Sequence, residues 1–106
     1  MQKLMTKELE NRFAKVGSQD GKGNDAIVIA HFFIGGSDWW ATDYMPEDRC
    51  LFGFVCLNGD KEMSELGYFS LQEFEEFNKV KTFHIERDAW WTEKTLGEIK
   101  KEGGFY

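Results

Sequence analysis

The chain has 106 residues, of which 42% are hydrophobic and 16% aromatic, and its formal net charge is −6. A chain of this length corresponds to one domain, and ten Phe and four Trp exclude a disordered polypeptide, which would be poor in such residues. The acidic balance argues against direct nucleic-acid binding, because contacts with the phosphate backbone need clustered Lys and Arg.

The composition also bears on where the protein acts. No segment approaches the roughly 20 apolar residues that span a bilayer, and the N-terminal segment lacks the apolar centre of a secretion signal. Cys50 and Cys56 lie six residues apart in one predicted strand, which separates them by about 20 Å, beyond disulfide reach. Two free thiols suit a reducing compartment, so we expect a cytoplasmic protein without membrane contact.

The first predicted element is a helix over residues 6–16, whose apolar residues recur at i, i+4 and i+7 from Leu9. The Gly-rich segment 17–25 follows it. This segment lacks the spacing of a phosphate-binding loop, and Lys22 stands where a calcium loop needs a carboxylate. We therefore interpret it as a flexible connection.

A block of strands comes next, predicted over residues 26–34, 38–45, 49–57 and 63–69. The first strand is apolar at nearly every position, which is typical of a strand buried on both faces. The dipeptide Asn58-Gly59 predicts a two-residue hairpin between the third and fourth strands. A short fifth strand is predicted over residues 82–87.

Two capping patterns predict further helices. Ser70 and Glu73 fit a capping box that opens a second helix, and Thr95 and Glu98 fit another that opens a short C-terminal helix. Strands in one block with helices outside it indicate an α+β fold in a single domain over residues 1–106. We predict an antiparallel meander sheet of four or five strands with an N-terminal helix, a helix after the fourth strand and a short C-terminal helix.

The sequence contains no nucleophile elbow, HExxH or CxxC motif and no cofactor-binding signature. His31 and His84 are expected to be hydrogen-bonded core residues rather than catalysts. Converging carboxylates could hold Mg²⁺ or Ca²⁺ or act as an acid–base pair, and the candidates in or beside strands are Asp43, Glu65, Glu86 and Asp88. We expect these four to be surface or ion-paired residues, with no metal and no cofactor bound.

The Trp39-Trp40 doublet is the most unusual feature of the predicted strands. Successive strand residues point to opposite faces, so even spacing places Trp40 and Tyr44 on one face, which Thr42 makes the more polar. Tyr68 could join them only if its strand is a neighbour. An aromatic centre with an acidic rim is the usual anatomy of an interface. The predicted binding residues are Trp40, Tyr44, Glu47, Asp48, Glu65 and Tyr68.

The negative charge is concentrated in the middle of the chain. Residues 43–76 contain nine Asp or Glu against two bases, a net charge of −7, so the rest of the chain sums to +1. Such a segment either aids solubility as a solvated surface or complements a basic groove on a partner.

Five blocks of the sequence are similar to one family: WATDY at 40–44, PED at 46–48, FG at 52–53, ELGYFS at 65–70 and IERD at 85–88. Together, and in this order, they resemble domain of unknown function family 2958, which consists of small bacterial proteins. The similarity covers about residues 26–96. Trp40 and Asp43 stand where the family usually has Tyr and Glu, and the Trp90-Trp91 doublet departs further.

The resemblance implies a genetic setting rather than an activity: cargo of plasmids, conjugative elements and phages, often beside anti-restriction genes. It carries over no catalytic or binding residue. We therefore expect a non-enzymatic accessory protein of a mobile genetic element that acts by binding another protein. One form of this hypothesis is inhibition of a host defence complex, a nucleic-acid-binding partner, through an acidic surface. The alternatives are a carboxylate-based metal-dependent hydrolase and a structural or regulatory homodimer joined through the sheet.

Overall fold

The computed structural model describes residues 2–105 of the chain. Its helices are α1 (Lys7–Val16), α2 (Leu71–Val80) and α3 (Leu96–Gly103), with a 3-10 turn at Gly23–Asp25. Its strands are β1 (Ile27–Val28), β2 (Ala30–Ile34), β3 (Ser37–Met45), β4 (Cys50–Cys56), β5 (Glu65–Ser70), β6 (Glu86–Arg87) and β7 (Lys94–Thr95).

Five strands form one antiparallel sheet in the order β5-β4-β3-β2-β6, and β1 pairs with β7 in a separate two-stranded ribbon. The predicted α+β fold is therefore confirmed, with helices outside a meander of strands. The last strand of this five-stranded sheet in chain order, β6, does not extend the meander beyond β5 but returns to pair with β2. The sheet consequently has two edges, β5 and β6.

The main core lies on the sheet face that α1 and α2 cover, here called the main-core face. Phe13 of α1 and Leu71 and Phe74 of α2 pack there with residues of β2, β3 and β4 such as Phe32 and Leu51. Ser70 caps α2 as predicted, since its Oγ accepts a hydrogen bond from the Glu73 N–H at 3.1 Å. Local capping and apolar spacing thus place α2 on the sheet.

A smaller core lies on the opposite face, under α3, and we call this the α3 face. Val28, Phe54, Leu96 and Ile99 are buried there, with Trp40, Trp91 and Phe105 packed around them. The capping box that opens α3 is complete, because Thr95 and Glu98 each accept a hydrogen bond from the other's backbone N–H. The predicted C-terminal helix is therefore confirmed.

The connection between β4 and β5 differs from the prediction. Asn58 and Gly59 have positive φ angles of 54° and 71°, and the Asp60 N–H donates to the Leu57 carbonyl at 3.0 Å, so the expected tight turn forms. Strand pairing nevertheless ends at Val55 and Glu65, which leaves a connection over residues 57–64. The prediction of a two-residue hairpin was wrong, because the Asn58-Gly59 turn is held away from the strand pair. The Gly59 N–H donates a hydrogen bond to the Gly36 carbonyl at 2.8 Å, in the turn between β2 and β3.

The first predicted strand is divided between the two sheets. Residues Ile27–Val28 pair with β7 and Ala30–Ile34 with β3 and β6, and the chain passes from one sheet to the other at Ile29. Cys50 and Cys56 both lie in β4 and are free thiols, as predicted. Within residues 2–105, none of the helices is both long enough and apolar enough to cross a bilayer.

Candidate functional site

A β-bulge in β3 separates the aromatic residues that were predicted to share a face. Ala41 pairs with Gly53 and Asp43 with Phe52, so Thr42 is an extra residue between two consecutive partners. Trp40 consequently lies on the α3 face, whereas Tyr44 lies on the main-core face. The prediction that the two rings share a face was wrong, because even spacing assumes a strand without a bulge.

Both of these rings are partly covered by other aromatic residues. The Trp40 ring stacks on the His31 ring with centroids 5.4 Å apart and an interplanar angle of 8°, and Phe105 packs edge-on against it. Tyr44 packs against Phe13 of α1 at a centroid distance of 5.8 Å. Trp40 and Tyr44 therefore contribute to the two cores.

The other predicted binding residues are exposed but dispersed. Glu47 and Asp48 lie in the β3–β4 turn, while Glu65 is on the main-core face of β5 and Tyr68 is on its α3 face. Because β4 lies between β3 and β5, Tyr68 is not a cross-strand neighbour of Trp40. The six predicted residues thus do not form one patch, and a binding role for each of them stays a prediction.

A strip of apolar side chains remains uncovered on the α3 face, at the β5 side of the sheet. Tyr68 is 72% exposed and Leu66 46% exposed. The Phe52 ring on the neighbouring strand packs edge-on against Tyr68 at 4.8 Å between centroids. We call Phe52, Leu66 and Tyr68 the β5 strip. The sequence-based prediction included Tyr68 but missed Phe52 and Leu66. Phe52 is two residues from Phe54, and Leu66 is two residues from Tyr68, and this even spacing within a strand was the signal that each pair shares a face.

A cleft of about 390 Å³ separates the β5 strip from the Gly-rich segment 17–25. Gln19 anchors this segment and is only 3% exposed. Its side-chain Nε2 donates to the Ile27 and Thr42 carbonyls at 2.7 and 2.8 Å, and its backbone N–H donates to Asp43 Oδ2 at 2.9 Å. The segment is therefore hydrogen-bonded to the bulge of β3, and the prediction of a flexible connection was wrong. The polar composition of the segment gave no signal that Gln19 would be its anchor.

A second cleft of about 500 Å³ lies on the other side of β5. Val55, Met63, Glu65 and Gly67 line it, and Tyr68 lines both clefts, so β5 lies between them. All charged residues that line the two clefts in the described part of the chain are acidic: Asp20 and Asp43 in the first, Asp60 and Glu65 in the second. The surroundings of the β5 edge therefore favour a cationic ligand.

His31 forms a separate cluster on the α3 face. Its Nε2 hydrogen-bonds Asp38 Oδ1 at 2.8 Å, and its Nδ1 lies 3.7 Å from Asp88 Oδ2. The ring is half-buried and stacked on Trp40. The expectation of a hydrogen-bonded histidine at this position is confirmed, and the two carboxylates connect β3 and the segment after β6 to β2.

The strand carboxylates do not assemble into a site in the described residues. Asp43 is engaged by Gln19 and Thr42, Asp88 lies beside His31, and Glu65 is exposed on the main-core face of β5. Within residues 2–105, no three His, Cys, Asp or Glu side chains are grouped so that they could hold a metal ion.

Comparison with known proteins places the chain in a family without naming an activity. No curated protein and no solved structure matches the chain. A family model described as "Protein of unknown function (DUF2958)" matches residues 4–99 of the 106. The chain therefore belongs to the family of proteins of unknown function DUF2958.

Proposed function

We propose that this protein is a non-enzymatic accessory protein that acts by binding another protein at the β5 strip. The observation that carries the proposal is the exposure of Tyr68 and Leu66 beside an acid-lined cleft, on a part of the α3 face that none of the described helices covers. Tyrosine is among the residues most enriched at binding hot spots, and an apolar centre with a charged rim is common at interfaces.

The acidic segment contributes attraction over distance rather than a single charged patch. Glu47 and Asp48 precede β4, whereas Asp60 and Glu62 follow it, and the seven residues of β4 separate the two groups by about 20 Å. We propose that these charges draw a basic surface of the partner towards the protein, and that the β5 strip supplies the contact.

The finer form of the proposal is that the partner belongs to a nucleic-acid-binding host defence complex, which this protein inhibits on behalf of a mobile genetic element. Its support is the genetic setting that the family resemblance implies and the charge of −7 on residues 43–76. A groove that binds nucleic acid is basic and would attract this segment.

Site-specific photocrosslinking tests the proposal directly. A photoreactive phenylalanine analogue at position 68 should capture a bacterial protein from lysate, read by mass spectrometry. Phe83 is the matched control position, because it is equally exposed at 79% but lies beside β6. Capture at position 68 should be lost on Leu66→Ser. Capture of the same proteins in the same amounts from positions 68 and 83 would overturn the proposal.

Metal titration tests the alternative of a carboxylate-based hydrolase. We expect Ca²⁺ or Mg²⁺ at millimolar concentration to leave the melting temperature unchanged. A ligand that binds only the folded state must raise that temperature. A rise of several degrees that is lost on Asp43→Asn would favour the hydrolase instead.

A further inference from the structure

We propose that the partner segment binds in an extended conformation, as an additional strand along the outer edge of β5, and that basic residues alternate with its apolar residues. This inference rests on the proposed function and specifies the chemistry of the partner. It is carried by four features of the β5 edge: its open hydrogen-bonding groups, its central glycine, the two clefts beside it and the sign of the charge around it.

The outer edge of β5 is open and regular. β5 is the terminal strand of the sheet, and within residues 2–105 no turn, loop or side-chain hydrogen bond engages the outer backbone groups of Leu66 and Tyr68, whereas at Ser70 the chain enters α2. Its six residues pair with β4 in unbroken register, and they include no proline, lysine or bulge that would obstruct a further strand. Alternate residues of such an edge present free N–H and C=O groups, which is what an added strand requires.

Gly67 at the centre of β5 has no internal packing reason to be a glycine. A Cβ added there would meet no heavy atom of residues 2–105 within 4 Å apart from its own chain neighbours. Its cross-strand partner Gly53 is different, because a Cβ there would overlap the backbone carbonyl of Trp40. A glycine within a strand weakens it and often marks the close approach of another backbone. Because Gly67 lines the 500 Å³ cleft, we infer that its missing side chain keeps this cleft open to the partner.

The two clefts flank β5 on opposite faces of the sheet, so each lies beside one set of side chains of an added strand. Successive residues of a strand alternate between the faces of a sheet. One set would face the side of the 390 Å³ cleft, towards Leu66, and long side chains of the other set would reach towards the 500 Å³ cleft, which Met63 lines. The Tyr68 side chain lies on the α3 face, where it would contact the set of side chains next to the 390 Å³ cleft.

The charge around the edge selects a basic occupant. Each cleft is lined by two carboxylates, and no Lys or Arg lines either cleft in the part of the chain that the structure describes. A second copy of this chain would bring Asp60 and Glu65 to the same edge, so like charges oppose a β5–β5 dimer. Lysine or arginine side chains next to apolar residues complement both the carboxylates and the β5 strip.

The test uses a synthetic, end-blocked peptide as long as the six-residue β5, in which lysine and valine alternate. We expect it to bind, and amide exchange followed by NMR to slow at least about tenfold at alternate residues of β5. Two further peptides carry N-methyl groups on the odd or on the even residues. Only the version whose methyl groups face β5 should bind at least about tenfold more weakly, because it alone loses the inter-strand hydrogen bonds.

Protein variants and a charge-reversed peptide complete the test. Tyr68→Ser should weaken binding of the lysine–valine peptide about 30-fold, as loss of a hot-spot residue does, and the matched variant Phe83→Ser should have no effect. A glutamate–valine peptide should bind at least about tenfold more weakly than the lysine–valine peptide.

Several results would overturn the inference. The lysine–valine peptide could fail to bind, or the two N-methylated peptides could bind equally well. The glutamate–valine peptide could bind as tightly as the lysine–valine peptide. The free protein could form a dimer in which the β5 amides are protected from exchange. If crosslinking at position 68 still captures a partner, the proposed function stands without strand addition. If position 68 captures nothing specific, the proposed function itself is wrong.

Discussion

The β6 edge of the five-stranded sheet has two residues and is covered by a side chain, whereas the β5 edge has six residues and is open in the described structure. At β6, Gln2 Oε1 accepts from the Arg87 N–H at 2.7 Å and its Nε2 donates to the Arg87 carbonyl at 2.8 Å. The amide of Gln2 therefore replaces the strand that would otherwise pair there.

This difference shows how little is needed to close a sheet edge. One primary amide satisfies both backbone groups of Arg87, and the shortness of β6 leaves few others. An open edge of regular geometry is a hazard because it can pair with any extended chain. Carboxylates on both sides of β5 restrict that pairing to basic chains. This restriction is consistent with an edge that binds a specific partner.

The largest expected effect distinguishes the centre of the sheet from its open edge. Gly53→Ala should lower the free energy of unfolding by about 3 kcal/mol or more, because the new Cβ overlaps the Trp40 carbonyl and β4 must move away from β3. Gly67→Ala on the paired residue of β5 should change it by less than about 1 kcal/mol, since the added methyl group enters open space. Denaturant unfolding of the two variants measures both values.

Equal losses for the two glycine variants would contradict the comparison. They would mean that the β5 edge is packed as tightly in solution as the centre of the sheet.

A second pair of variants compares the covered and uncovered parts of the α3 face. Trp40→Ala should cost about 2–4 kcal/mol of stability, because the ring packs on His31, Phe54 and Phe105. Tyr68→Ala should cost less than about 1 kcal/mol, because most of its ring is already in water. A large stability loss at Tyr68 would assign that ring to the core and remove it from the binding surface.

Opening the closed edge should have a smaller effect. Gln2→Ala should lower stability by about 1–2 kcal/mol, because the two hydrogen bonds to Arg87 are lost near the surface. The Arg87 amide should then exchange faster with solvent. Gln2→Glu is the informative comparison, since it keeps an acceptor for the Arg87 N–H but loses the donor to the Arg87 carbonyl. Unchanged exchange at Arg87 in both variants would show that Gln2 does not close this edge in solution.

The smallest expected effect is the pH dependence of an ion pair that joins the β3–β4 turn to α2. The bidentate hydrogen bond from Arg49, at 2.7 and 2.8 Å, lowers the pKa of Glu75 below its ordinary value of 4.5. A lowered carboxyl pKa stabilises the folded state above that ordinary value, and this contribution disappears as the pH falls through the folded-state pKa. Because both side chains are more than one third exposed, we expect at most about 1 kcal/mol.

Unfolding curves between neutral pH and pH 3 would measure this contribution. The stability lost on acidification should be smaller in Glu75→Gln than in the unmodified protein. Glu62→Gln, which changes an exposed carboxylate in the β4–β5 connection, serves as the control. An identical pH profile for the Glu75 variant and the unmodified protein would contradict a contribution from this pair.

Several elements were predictable because their signals lie close together in the sequence. The helix that begins after Ser70 follows from a cap and an apolar period within ten residues, and the tight turn at Asn58-Gly59 follows from two residues that tolerate positive φ. The family resemblance likewise rests on short blocks in order, and the match over residues 4–99 confirmed it. Exposure of Tyr68 was anticipated, but its supposed neighbours Trp40 and Tyr44 were not correctly placed.

The sequence by itself determined the α+β class, the helix starts and the antiparallel strands, because periodicity, caps and turns act within a few residues of one another. Only the tertiary structure decided the bulge at Thr42, the anchoring of the Gly-rich segment by Gln19, and the closure of β6 by Gln2. Each depends on groups that are far apart in the chain: Gln19 bonds a residue 23 positions away, and Gln2 one 85 positions away. The physical reason is that a buried or edge backbone group must be satisfied by whichever polar group the fold brings to it, and spacing along the chain does not encode that choice.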